Sequence, residues 1–139
     1  MLTWMTYALS QHPDALKTVQ AEIDEVLGDR YATFEDIENM PELQKVIAET
    51  LRLWPAPPLF IRCALEEDTW PVGGTGIEGG CQLARANDLF ISTYNMGRSP
   101  QLWEHPAVFD PQRWDRPFDN PNVKGWAGYD PAKRTGVDT

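Results

Sequence analysis

Pro55 restricts this chain more than any other residue. Proline has no backbone N–H to donate, and its ring clashes with the carbonyl four residues back, so no regular helix runs through it. Upstream of Pro55, apolar residues recur at three- and four-residue spacing. Downstream they come in short runs rich in Ile, Phe, Thr and Tyr. The predicted fold class is therefore mainly α with a small β portion (α+β), with helices in the first half and short strands and coil in the second.

Two further prolines place helix starts. Pro13 suits a first helical position, where its absent N–H costs nothing. Leu16, Val19, Ile23, Val26 and Leu27 then form an apolar stripe, and Gly28 can supply a left-handed cap. "TFED", residues 33–36, reads as a capping box that opens a short helix. The next helix is expected from about Pro41 to Leu53, with Leu43, Val46, Ile47 and Leu51 as its core face. The opening "MLTWMTYALSQ" lacks the basic leader and cleavage site of a signal peptide and is too short to span a bilayer. It reads as the tail of a buried helix that begins before Met1, the expectation for a fragment.

Past Pro55, "PLFIRCAL" predicts a short strand and "DLFISTYNMG" the best strand of the chain. Ser99 and Pro100 are expected to open a brief helix through "QLWEH", and residues 115–139 to form coil. Gly74, Gly76 and Gly79 match the G-x-G-x-x-G dinucleotide fingerprint. That motif works only between a strand and a helix whose N-terminus receives pyrophosphate. No helical stripe follows here, so a turn between strands is the reading.

Charge excludes some partners. Twelve basic residues against twenty-one acidic give a net charge of −9, with no basic stripe for nucleic-acid phosphates. Cys63 and Cys81 are too few for a disulfide framework and read as packed or turn cysteines. His12 and His105 each precede proline and read as turn or helix-entry residues rather than metal ligands.

The helix that ends in "ETLRLWP" carries Glu49 and Arg52. On a wheel of about 100° per residue both fall opposite the apolar stripe, beside Glu42 and Lys45. By periodicity alone they are a solvated pair, contributing ~0.2–0.5 kcal/mol. Other stretches point elsewhere. "ETLRLWP" resembles the E-x-x-R helix of the cytochrome P450 family, the haem-thiolate monooxygenases. "PPLFIRCA" places Arg62 where that family commonly carries a haem-propionate arginine. "FDPQRW", residues 109–114, is similar to its F-x-P-x-R-[FW] segment, with Arg113 as the third member of a Glu-Arg-Arg triad. "HPDALKTVQAEIDEVLG", "FEDIENMPELQKVIAETLR", "DLFISTYNMGRSPQLWEHPAVF" and "GWAGYDP" resemble, in order, the family's intervening helices, strand and meander coil.

The resemblance implies that residues 1–139 form a partial cytochrome P450 domain, from the end of the oxygen-binding helix through the meander. Glu49, Arg52 and Arg113 would be a buried structural triad, and Arg62 would meet a haem propionate. Leu59 and Phe60 are candidates for the substrate wall, or for ordinary packing. No catalytic or metal residue is assigned within the chain, because the family's haem-ligating cysteine sits in an F-x-x-G-x-x-x-C-x-G loop expected beyond Thr139. The cofactor implied for the complete protein is haem b, iron protoporphyrin IX. The partners implied are O2, a reductase or ferredoxin as electron donor, and an apolar small-molecule substrate, with membrane association of the complete protein compatible. "FISTYNMGRSPQLWEHPAVFDPQRW" with "GWAGYDP" is most similar to the carotenoid-ring hydroxylases of plants and algae, which implies a plastid setting. Fatty-acid hydroxylases share "LRLWP" and remain the alternative substrate class. The contrasting expectation is a non-catalytic truncated fragment or pseudogene product, inactive and prone to aggregate alone.

Overall fold

The computed structural model describes residues 1–70, 80–119 and 129–131. It divides into two compact units, Met1–Ala56 with Val108–Asp115, and Pro57–Ala107 with Arg116–Thr139. The Gly74–Gly79 turn and most of the coil expected over 115–139 lie outside the described residues.

The first unit contains α1 (Leu2–Gln11), α2 (Pro13–Leu27), a 3-10 segment (Phe34–Asn39), α3 (Pro41–Leu53) and a second 3-10 segment (Pro111–Asp115). His12 closes α1 and opens α2, and Pro13 and Pro41 stand at the helix starts as their chemistry requires. Gly28 ends α2 at φ 53°, in the region that side chains avoid. The "TFED" box forms, with Thr33 donating to Asp36 Oδ2 from its N–H at 2.7 Å and its hydroxyl at 2.9 Å.

Ala8, Leu9, Val19, Val46, Leu53 and Phe109 form the buried core of this unit. Phe109 thus inserts the returning segment into the packing of the three helices. The expected core face of α3 needs correction. Val46 is buried, Leu43 and Ile47 are half-buried, and Leu51 is exposed. The buried positions are Val46, Glu49, Thr50, Arg52 and Leu53. A wheel assumes one buried face, whereas α3 is covered on two sides by chemically different neighbours. Thr50 satisfies its buried hydroxyl by donating to the Val46 carbonyl at 2.7 Å.

In the second unit, β1 (Phe60–Cys63) pairs antiparallel with β4 (Asp88–Ile91), and β2 (Asp68–Trp70) with β3 (Cys81–Leu83). The two cysteines therefore sit on strands, Cys63 exposed and Cys81 half-buried. The strand expected over "DLFISTYNMG" stops at Ile91, and Thr93–Gly97 is a short helix, α4. The register puts Ile91 opposite Phe60. Beyond it the stretch that leads into β1 offers Pro57 and Pro58, which have no N–H for a ladder. Instead Pro57 and Pro58 accept from Thr93 Oγ1 and Tyr94 N–H, and Ser92 caps α4 by accepting from Asn95 N–H.

The helix expected through "QLWEH" is a single turn, with the Leu102 and Trp103 N–H groups donating to the Ser99 carbonyl. His105 ends that turn ahead of Pro106 at φ 45°, a left-handed conformation uncommon for a residue other than glycine.

Candidate functional site

The first unit brings Glu49, Arg52 and Arg113 together. Glu49 is wholly buried, and the side chains of Arg52 and Arg113 are nearly so. Arg52 meets the carboxylate side-on, Nε donating to Oε2 at 2.9 Å and Nη2 to Oε1 at 2.8 Å. The planar guanidinium suits this forked geometry, which an ammonium could not reproduce. The same Nη2 donates to the Val108 carbonyl at 3.0 Å, so Arg52 grips the returning backbone as well.

The returning segment supplies the remaining donors. Asp110 N–H donates to Oε1 at 2.9 Å, Arg113 Nε to Oε1 at 3.4 Å, and Trp114 Nε1 to Oε2 at 3.2 Å. The solvated pair read from periodicity is therefore a buried cluster. The polar stripe of α3 fails to reach solvent because residues 108–115 lie along it. Nearer the start of the helix, Gln112 donates to Glu42 at 2.9 Å, and Lys45 bridges Glu42 and Asp115 at 2.7 Å each. Glu42, Lys45, Glu49 and Arg52 thus all find partners from that one segment.

Each end of the segment is fixed by a different force. Phe109 enters the apolar core, tilted against His12 at 4.9 Å between ring centroids, while the residues after it satisfy the α3 charges. The start of α3 is held from α2. Met40 cannot cap, and Glu22 accepts from the Glu42 N–H at 2.8 Å and the Leu43 N–H at 2.9 Å. A carboxylate there satisfies two orphan donors and complements the positive end of the helix dipole.

Asp110, Trp114 and Glu22 escaped the sequence reading. Trp114 and Asp110 act over more than sixty positions, which no local pattern encodes. Glu22 had a faint signal, since α3 starts with a proline and a residue without a capping oxygen.

Arg62, on β1 in the second unit, is exposed. Its Nη1 donates to the Ile61 carbonyl at 3.1 Å, and its guanidinium lies 5.7 Å from the Phe60 ring centroid. Among the described residues it has no carboxylate partner. A free arginine on a strand beside an aromatic ring is chemically suited to a carboxylate group such as a propionate. Leu59 is exposed and Phe60 half-buried, so neither is fully consumed by packing within the unit.

This fold and this cluster define a class. The family model described as cytochrome P450 matches residues 1–124, and the chain belongs to that family. Among its relatives, "Cytochrome P450 97B1, chloroplastic" of Pisum sativum is 43% identical over 137 residues, covering 99% of this chain and 25% of the relative. "Carotene epsilon-monooxygenase, chloroplastic" of Arabidopsis thaliana is 38% identical over 115 residues, covering 83% of this chain and 20% of the relative. A zebrafish cytochrome P450 solved with progesterone superposes with a TM-score of 0.70 at 27% identity, over 81% of this chain and 25% of that one. The chain spans a quarter or less of the length of these relatives. Its helices and few antiparallel strands make a partial cytochrome P450 fold.

Proposed function

We propose that the complete protein is a haem-thiolate monooxygenase that inserts one atom of O2 into an apolar substrate. The observation that carries this reading is the convergence of Glu49, Arg52 and Arg113 on a buried carboxylate in a chain of this family. When bound, haem b supplies the oxygen-activating chemistry, with two electrons arriving from a reductase or ferredoxin.

Within this chain, Arg62 would hold a propionate, since its guanidinium has no carboxylate partner among the described residues. Leu59 and Phe60, beside it, would contribute to the apolar wall that admits substrate and excludes water. The Glu49 cluster acts at one remove: it fixes residues 108–115 on α3, and with them the register of the chain that leads onward. A carotenoid ring is the proposed substrate and a plastid the proposed setting, supported by the likeness to chloroplastic relatives that include a carotene monooxygenase.

The test uses the protein expressed from its whole reading frame. Glu49→Ala and Arg52→Lys should abolish haem incorporation, seen as loss of the thiolate-type Soret band after reduction and CO. Arg62→Ala should weaken haem retention while leaving the fold intact. Normal haem content in Glu49→Ala or Arg52→Lys would defeat the scaffold reading. A spectral response to fatty acids without one to carotenes would replace the substrate class.

A further inference from the structure

The two oxygens of Glu49 are held unequally. Oε1 receives Arg52 Nη2, the Asp110 N–H and Arg113 Nε, at 2.8, 2.9 and 3.4 Å. Oε2 receives Arg52 Nε at 2.9 Å and Trp114 Nε1 at 3.2 Å. The first of those Oε2 donors belongs to α3 itself, so the indole is the returning segment's hold on that oxygen. Glu49 is 0% exposed, so bulk water does not reach its carboxylate in the folded unit. A buried acceptor stripped of its partner costs the full desolvation of that lone pair.

We propose that Trp114 is a positioning residue whose indole N–H, rather than the bulk of its ring, locks residues 108–115 onto α3 through Glu49 Oε2. A phenyl ring could occupy part of the same half-buried space and donate nothing. Trp114 and Arg113 are consecutive in the 3-10 segment Pro111–Asp115, yet both reach one carboxylate. Together with the Asp110 N–H they make three donors within five residues. With both oxygens tied to the segment, the carboxylate plane is fixed, and Arg52 and the segment share one orientation. If Oε2 answered to Arg52 alone, the carboxylate could turn about its last torsion and release the Asp110 N–H.

This inference rests on the scaffold role proposed for the Glu49 cluster, but its test needs neither haem nor turnover. The first measurement is hydrogen exchange of the Asp110 amide and the Trp114 indole N–H in the unsubstituted protein. The indole signal is assigned by its disappearance in Trp114→Phe. Both are expected to exchange slowly, and Glu49→Gln is expected to shift the indole resonance and speed its exchange. The second measurement replaces Trp114 by β-(3-benzothienyl)alanine, which keeps the bicyclic shape and removes the N–H. The Asp110 amide should then exchange roughly tenfold faster, and Trp114→Phe should do the same.

Should Trp114→Phe not fold, the isosteric analogue still separates hydrogen bond from volume. Unchanged Asp110 exchange in the analogue, or a freely exchanging indole in the unsubstituted protein, overturns the proposal. Either result leaves the haem reading to its own spectroscopic test.

Discussion

Two arginine–carboxylate pairs in the first unit share chemistry and differ in everything else. Arg30 meets Asp36 through both terminal nitrogens, at 2.7 and 2.6 Å, with its own side chain half in solvent. Its Nη2 also donates to the Val26 carbonyl at 3.1 Å, so the pair ties the end of α2 to the start of the following 3-10 segment. All of this happens within eleven residues of chain. Arg52 meets Glu49 three residues away, but that contact is closed by Asp110, Arg113 and Trp114, from the far end of the sequence. The local pair depends on turn chemistry. The buried pair depends on the whole unit being folded, and in return it holds the unit together.

The largest expected break in this comparison is Glu49→Ala. It removes the carboxylate that two buried guanidiniums and an indole N–H share, and should cost about 3–5 kcal/mol in urea unfolding. A loss under 1 kcal/mol would mean that solvent reaches the cluster. Next comes Glu22→Ala, which uncovers the first amides of α3. The expected loss is about 1–2 kcal/mol, with exchange at the Glu42 and Leu43 amides rising before the rest of the helix. Unchanged exchange there would remove Glu22 from the account.

Asp36→Asn sharpens the comparison through pH. The hydrogen bonds from Arg30, then those from Thr33, hold the Asp36 carboxyl well below the usual carboxylate range. Its contribution is therefore present above the unfolded value of about 3.9 and is lost as pH falls through the lower folded value. Wild type should lose stability below about pH 4 more steeply than Asp36→Asn. Parallel acid limbs would contradict this.

The smallest effect belongs to Lys45→Met. Burial pulls the Lys45 ammonium down, but its hydrogen bonds to Asp115 and Glu42 outweigh that and hold it above its ordinary value. The contribution is present below about pH 10.4 and is lost as pH rises through the folded value. Asp115 is nearly half-exposed, so the pair should be worth less than about 1 kcal/mol. A gradient from Glu49 to Lys45 would show that burial, not charge, sets the value of each contact along α3. Equal losses would reverse that conclusion.

What could be read from the sequence was local. Pro13, Gly28, the "TFED" box, Pro41 and Pro55 set the first-unit boundaries where chain chemistry demands them, because each acts on its own backbone or within a turn. The failures were also systematic. "DLFISTYNMG" looked like one strand because β propensity says nothing about where a partner runs out of N–H groups. Periodicity taken alone puts Leu51 inside and Glu49 in solvent, because a helical wheel counts one inward face; the family resemblance already pointed the other way for Glu49.

By itself the sequence determined the helical first half, the short β1 strand and, through "ETLRLWP", "FIRC" and "FDPQRW", the resemblance that family membership bears out. The resemblance implied a buried triad of Glu49, Arg52 and Arg113; only the tertiary structure decided that Glu42 and Lys45 are also covered by the same segment. It also decided that Trp114 and the Asp110 N–H share the Glu49 carboxylate with the two arginines. The reason is physical. A charge three residues from its counter-charge on a helix has the same sequence signature in water and under a covering segment. Only the position of that segment determines whether its desolvation must be answered by hydrogen bonds.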